Sequence, residues 1–555
     1  MTKPATPLAR RTAALVAVVL APALLGAACS SGGESASSTS TTSTTAPAAK
    51  CTPPDTGTPT STPVAGSSND LDVAGSEGTT IRAHWYPRPG ASASAPSPTV
   101  LMGPGWGLSG DTDVSAVGFL GANSIGNLHT AGYNVLTWDP RGFGKSAGTA
   151  TVNDKDNEGR DVQRLISFVA SRPEVQLDAA GDPRMGMVGA SYGGGIQLVT
   201  AATDCRVDAI VPIIAWNSLE TSLYKGKVPK TGWAGILTGV SALGKVDPHL
   251  PTTKASADAT GTISDEDADW FRSRGPGRLV DDVRVPTLIV QGTVDTLFTL
   301  DEGIRNYSVI DSNKVPVAMV WFCGGHGVCN ADPGDPERID RRIVSWLDRY
   351  VRRDRGTDTG PGFDMVDQDG VRYTAPAWPV AKGDSLTATG EGTLRLVAEG
   401  GSAGAAGTAA ENDVIGPLAE RIMPGVASNA VDVKVPFGSR DALVVGAPQL
   451  SLTYSGTTGP GPRPQAVFAQ LVDDNEPRRV IGQQVTPVPL VLDGKEHQTQ
   501  LPLEVVAFHA RPGGSLTLQI VATTSGYATP RLGGEVEFSR IALKLPVATG
   551  LRQTG

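Results

Sequence analysis

Histidine is scarce in this chain: there are six in 555 residues, and apart from His326, which lies between Cys323 and Cys329, none stands at ligand spacing from a cysteine or from another histidine. A zinc centre is therefore not expected, and no metal or cofactor is assigned. Basic residues are outnumbered, 47 Lys and Arg against 56 Asp and Glu, and are spread thinly, so a net charge of −9 argues against a nucleic-acid partner. After Leu25 no long uncharged apolar stretch recurs, which excludes a membrane-spanning body. A Walker loop is also missing. The nearest likeness, the run from Asp139 through Gly142 and Gly144 to Ser146, lacks the four-residue interval between glycines, so nucleotide binding is not expected.

What the chain does have begins with an address. Lys3, Arg10 and Arg11 precede an apolar run from Ala13 to Leu25, followed by Gly26, Ala27, Ala28 and Cys29. Residues 1–28 read as a signal peptide. Cys29 stands where a bacterial lipoprotein signal places the cysteine that becomes lipid-modified, with plain secretion as the alternative. Residues 29–65, dominated by Ser, Thr, Ala, Pro and Gly, cannot bury enough apolar surface to order themselves and read as a disordered tether. The expected product is exported, anchored by lipid to the outer face of the cell membrane, or secreted.

The body is too long for one core. From residue 66 to 358, apolar strand-like runs alternate with helical periods: Thr99–Met102, Tyr133–Asp139, Val207–Ile214 and Val285–Val290 are strands, and Val162, Leu165, Ile166 and Val169 mark one helix face. This predicts an α/β domain, a doubly wound, mostly parallel sheet with its chemistry at the carboxyl ends of the strands. A helix is expected over 118–131, and a helical stripe of Ile339, Ile343, Trp346, Leu347 and Tyr350 closes the domain. Residues 218–280 interrupt the alternation and read as a small helical cap, in which Trp233, Ile236 and Leu237 form either a substrate wall or the packed face of the insertion.

Around one serine the sequence narrows to small residues. Gly189-Ala190-Ser191-Tyr192-Gly193, between an apolar run and a helix-like stretch, fits the strand–turn–helix elbow that lifts a nucleophile out of a sheet. Ser191 is the candidate nucleophile. His326, in the Gly-rich loop after the strand Pro316–Phe322, is the candidate base, and Asp295, at the end of the preceding strand, the candidate acid, with Asp301 and Glu302 as fallbacks. Two N–H donors are needed for an oxyanion; those of Tyr192 and of Trp106, in the loop Gly103–Gly107, are assigned. Cys323 and Cys329 flank the base and form the economical disulfide pair. Cys51 and Cys205 are left over, as a second pair or as buried thiols.

From residue 359 to 555 helical periods are absent and short alternating runs, among them Gln449–Tyr454, Gln465–Val472, Leu501–Phe508 and Ser515–Ala522, imply a C-terminal all-β sandwich. With Ser191-Tyr192-Gly193-Gly194, Asp139–Gly142, Gln291–Asp295 and Gly325-His326 in view, residues 65 to 547 resemble the cocaine esterase / X-prolyl dipeptidyl-peptidase branch of the α/β-hydrolases. That resemblance implies a jelly-roll form for the C-terminal sandwich, and serine hydrolysis of an ester or of a peptide bond after proline, on a small-molecule or peptide substrate. The chain departs from the branch at Gly103–Gly107, which has Trp106 where members commonly carry an oxyanion-donating tyrosine. A catalytically silent, envelope-binding lipoprotein is the reading from another class.

Overall fold

The computed structural model describes residues 51–116, 124–329, 337–404 and 419–554, together with positions 331 and 335. The signal peptide, Cys29 and the first part of the tether lie outside the described residues. Among those described, no helix is long and apolar enough to cross a membrane.

The α/β part is built on strands β1 (Ser61–Pro63), β2 (Asp70–Ala74), β3 (Thr80–Tyr86), β4 (Thr99–Gly103), β5 (Asn134–Trp138), β6 (Met185–Ala190), β7 (Ala209–Ile213), β8 (Thr287–Gly292), β9 (Val317–Phe322), β10 (Phe363–Val366) and β11 (Arg372–Ala375). They join in the order β1-β2-β3-β5-β4-β6-β7-β8-β9-β10-β11, and Arg552–Thr554 adds the last strand of a twelve-stranded sheet. Pairing is parallel from β5 through β10 and antiparallel at both flanks. Helices α1 (Ile125–Thr130), α2 (Glu158–Ala170) and α3 (Tyr192–Thr203) cross between the early strands. Then come the cap helices α4 (Leu219–Leu223), α5 (Thr231–Ser241), α6 (His249–Thr260) and α7 (Asp265–Arg272), followed by α8 (Leu300–Ser312) and α9 (Glu337–Tyr350).

Strand periodicity assigns the two faces. Leu101, Leu136, Met187 and Ile210 pack against Val162, Leu165, Ile166 and Val169 of α2 and Val199 of α3. Their chain neighbours Val100, Met102, Val135, Val188 and Val211 point the other way, onto Ile125 and Leu128 of α1 and Ile339, Ile343, Trp346 and Leu347 of α9. Both faces are covered, which is why these strands read as continuous apolar runs. Ile343 is fully buried, so its truncation to Ala would cost about 2–5 kcal/mol.

The C-terminal region holds its own core, with Val433, Leu450, Leu471, Phe508, Leu518 and Phe538 inside. One four-stranded sheet orders Leu386–Arg395, Gly534–Leu545, Gln449–Thr458 and His497–Pro502, and another orders Ala430–Pro436, Ser515–Val521, Ala466–Asp473 and Arg479–Pro489. The α/β-hydrolase sheet and the all-β region expected from the sequence are both present.

Three boundaries differ from the sequence reading. The sheet does not stop at 359: β10 extends it parallel to β9 and β11 follows antiparallel, because their alternation, read as the onset of the sandwich, serves the sheet edge equally well. The tether does not stay free to residue 65. Cys51 is bonded to Cys205, Thr56 hydrogen-bonds Ser167, and β1 pairs with β2, cross-chain ties that composition does not register. The run Leu501–Phe508 breaks into two strands, His497–Pro502 and Val506–Ala510, since Pro502 has no N–H to continue a ladder. Of the helix expected over 118–131, α1 forms with Ser124 as its N-cap, accepting from the Asn127 N–H, and 117–123 lie outside the described residues.

Candidate active site

Strand β6 ends at Ala190 and α3 starts at Tyr192, so Ser191 alone makes the turn, at φ 56° and ψ −115°. A side chain there is held in a region that L-residues rarely occupy. The flanking glycines are steric requirements. A Cβ on Gly193 would lie 2.1 Å from the Gly103 carbonyl oxygen, and one on Gly189 would lie 2.8 Å from the same atom. Helix and loop thus approach closer than any side chain permits.

Ser191 Oγ lies 2.9 Å from His326 Nε2, and His326 Nδ1 lies 2.8 Å from Asp295 Oδ2. Asp295 is fully buried. Its Oδ1 accepts the backbone N–H groups of Leu297 (3.0 Å) and Phe298 (2.8 Å), which fix the carboxylate plane. Gly325 sits at φ 118° where a Cβ would strike Asp295, so the histidine loop closes directly over the acid. Cys323 and Cys329 are bonded across this loop, and Cys51 to Cys205. Phe298 and Trp233 meet the imidazole edge-on, with centroids at 5.1 and 5.7 Å. The three residues singled out in the sequence therefore converge. Asp301 and Glu302 do not: Asp301 faces Lys225, and the buried Glu302 accepts the N–H groups of Asn217 and Ser218 at the base of the cap.

Tyr192 and Trp106 line the same cavity as Ser191. The Tyr192 hydroxyl donates to Glu158 (3.2 Å) and its carbonyl accepts from Asn153 Nδ2 (2.8 Å), so the side chain is tied down behind the elbow. Its N–H opens the first turn of α3, where no intrahelical acceptor exists. Burial pushes the Glu158 carboxyl up to about 7, against the hydrogen bonds from Thr151. The Trp106 indole stacks edge-on against Tyr192 at 5.1 Å and donates to Ser241 Oγ (3.0 Å) on cap helix α5.

The cap roofs the cavity. Leu237 lies on its wall, whereas Trp233 packs on His326 and donates to Thr296 Oγ1, so the cap residues named from the sequence divide between the two readings.

Several groups carry no local motif and escaped the sequence reading. Lys230 is buried, and its ammonium donates to the carbonyls of Thr296 (2.9 Å) and Leu297 (3.0 Å), directly after Asp295; burial lowers it to about 8. Glu504, arriving from the β region, pairs with Lys225 at 2.6 Å and accepts from Thr299 Oγ1. Despite full burial its carboxyl is held below the usual range, the neighbouring lysines outweighing desolvation. Gln484 Nε2 donates to the Asp295 carbonyl (2.9 Å) and Gln483 Nε2 to that of Val328 (2.5 Å). Asp139 and Arg141, from the run that resembled a phosphate loop, serve the scaffold: Asp139 accepts the N–H groups of Gly110 and Lys145, and Arg141 pairs with Asp161.

A doubly wound sheet, an elbow serine at its carboxyl edge and a roofing cap define an α/β-hydrolase fold. Comparison with known proteins carries the assignment further: residues 77–327 match the family described as X-Pro dipeptidyl-peptidase (S15 family). A candidate Xaa-Pro dipeptidyl-peptidase of Rhodopirellula baltica is 25% identical over 281 residues, 44% of this chain and 43% of that protein. The chain spans about half the length of the curated relatives it matches. Among solved structures, a CocE/NonD family hydrolase of Staphylococcus aureus is similar with a TM-score of 0.59 at 15% identity, covering 87% of this chain and 93% of that one. An aminopeptidase of a marine-sediment Thaumarchaeota archaeon gives a TM-score of 0.60 at 13% identity, covering 90% and 98%. At such identities the structures show the fold, with its C-terminal β region.

Proposed function

We propose that the chain is an exported serine hydrolase that cleaves an ester, or secondarily an X-prolyl peptide bond, through an acyl-enzyme. The observation that carries this reading is the continuous hydrogen-bonded line from Asp295 through His326 to the elbow serine, opening into a capped cavity. His326 donates Nδ1–H to Asp295 and accepts the Ser191 proton at Nε2, so the hydroxyl attacks the carbonyl carbon as it loses that proton. The N–H groups of Tyr192 and Trp106 receive the oxyanion. His326 then protonates the leaving group, and water returns by the same route to release the acid.

A fluorophosphonate probe should label Ser191 in the intact protein. In a p-nitrophenyl ester assay Ser191→Ala or His326→Ala should lower kcat by about 10⁵–10⁶, and Asp295→Asn by about 10⁴, with double variants scarcely worse. Full activity in Ser191→Ala would overturn the mechanism. Near-normal turnover in Asp295→Ala alongside inactive Glu302→Ala would move the acid.

For the address we infer lipid attachment at Cys29, with the Ser/Thr-rich stretch holding the hydrolase off the membrane. Two disulfides in the described body are compatible with an oxidising compartment. Cys29→Ser should release the protein into the medium; unchanged membrane retention would count against the anchor.

A further inference from the structure

The cavity that opens from Ser191 under the cap is apolar almost throughout. Leu219 and Leu223 of α4, Leu237 of α5, Leu250 of α6, Ile263 and Phe271 form its far wall. Its charged groups are both cationic: Lys230 and Lys254 line it, and among the described residues around it there is no aspartate or glutamate.

The polar side chains there are already committed. Thr238 and Ser241 donate to carbonyls of their own helix, Thr253 donates to Asp267, and Lys254 is paired with Asp258. Carboxylates behind the wall are engaged as well: Glu158 by Thr151, Asp154 and Tyr192, and Asp267 by Ser264 and Thr253. An enzyme that reads a free substrate α-amine needs a carboxylate aimed into the site, because a buried ammonium without a counter-charge is strongly disfavoured. Here an incoming ammonium meets hydrocarbon, the buried ammonium of Lys230 and a Lys254 already paired with Asp258, and no lining carboxylate among the described residues.

We infer that the acyl side of the substrate is an uncharged, apolar chain housed beneath the cap, and that the site rejects acyl groups bearing a free amine. This rests on the serine-hydrolase reading and names its substrate class. Ser191 Oγ forms the new bond to the acyl carbon while the bond from that carbon to the leaving oxygen breaks. The serine proton passes through His326 to that oxygen, giving an alcohol. Water then adds to the acyl carbon while the bond from that carbon to Ser191 Oγ breaks, the water's proton returns through His326 to Ser191 Oγ, and an apolar carboxylic acid leaves.

The test is a p-nitrophenyl ester series on the intact protein beside fluorophosphonate labelling. A buried methylene is worth about fourfold in a fitting pocket. Octanoate should therefore exceed butyrate in kcat/KM by at least about 16-fold, half of the four-methylene maximum on a logarithmic scale being enough. p-Nitrophenyl 6-aminohexanoate, with the same leaving group as hexanoate, should fall at least about 100-fold below it, and Gly-Pro-p-nitroanilide should be turned over more weakly still. Leu250→Trp, and independently Leu223→Trp, should lower the octanoate-to-butyrate ratio by at least about tenfold by filling the wall. Labelled Ser191 with a flat chain-length profile, or with the amino ester cleaved as fast as hexanoate, overturns this inference and leaves the hydrolase standing. No labelling and no ester turnover in folded protein overturns both.

Discussion

Lys230 offers a perturbation whose sign can be worked from the structure. Its ammonium is buried, donates to the two carbonyls that follow Asp295, and is lowered by burial from 10.5 to about 8. At about 1.4 kcal/mol per pH unit, keeping it charged in the folded protein costs about 3 kcal/mol relative to the unfolded chain. The folded protein releases this proton before the unfolded one does. The penalty is therefore fully present below about pH 8 and is relieved as pH rises from about 8 toward 10.5, so this group makes stability increase with pH across that window. Lys230→Met removes the titration and leaves two carbonyls without their donor, a pH-independent loss of about 1–3 kcal/mol per unsatisfied group. The assay is urea unfolding of the non-reduced protein and the variant at pH 7 and pH 10. Because other groups titrate alike in both, the difference isolates Lys230: the parent should gain about 3 kcal/mol on the variant between the two pH values. A difference that stays constant, or moves in the variant's favour, would refute the account of a destabilised buried ammonium. A fall in kcat of the variant at pH 7 would add that these carbonyl contacts hold the Asp295 loop.

Two further predictions concern the scaffold. Gly193→Ala places a Cβ 2.1 Å from the Gly103 carbonyl, so it should cost ~3 kcal/mol or more and abolish Ser191 labelling, read by thermal melts and probe incorporation; a stable, labelled variant would remove the steric argument for the elbow. On the chain-entropy estimate, opening Cys51–Cys205, 154 residues apart, should cost about 5 kcal/mol, against about 2 kcal/mol for Cys323–Cys329, 6 apart, while kcat should fall only in the second case; equal effects in Cys205→Ser and Cys329→Ser would sink the distinction.

What could be read from the sequence was local. Ser191, His326 and Asp295 each end a strand in a Gly-containing turn, and such turns leave a signature within a few residues. The helix faces of α2 and α9 were legible because one stripe of each meets one face of the sheet. What escaped was either long-range or ambiguous in period. Lys230 gives no sign in its neighbourhood that it reaches the 296 and 297 carbonyls, and Glu504 sits in a run that alternates like an ordinary strand. Strands β10 and β11 carry the same alternation as the sandwich that follows them, and only pairing partners separate the two.

The placement of those escaped groups gives the second region a mechanical part in the site. Gln483 and Gln484 lie on one strand of the β region, Arg479–Pro489; one holds the Val328 carbonyl beside the histidine loop and the other the Asp295 carbonyl. Glu504 ties Lys225 at the cap to Thr299, which caps α8 just after the acid. A histidine loop with glycines at 324, 325 and 327 has little stiffness of its own, and a Cβ on Gly327 would collide with the Val294 carbonyl, so the loop is thin because it must pass close. Rigidity therefore has to come from outside, from the Cys323–Cys329 bond on one side and the glutamines on the other. The hydrogen-bonded line from Asp295 to Ser191 is thus set by two stretches of chain more than 150 residues apart in sequence, held together by a few buried polar contacts. On this geometry the β region is part of the active-site frame rather than an appendage to it.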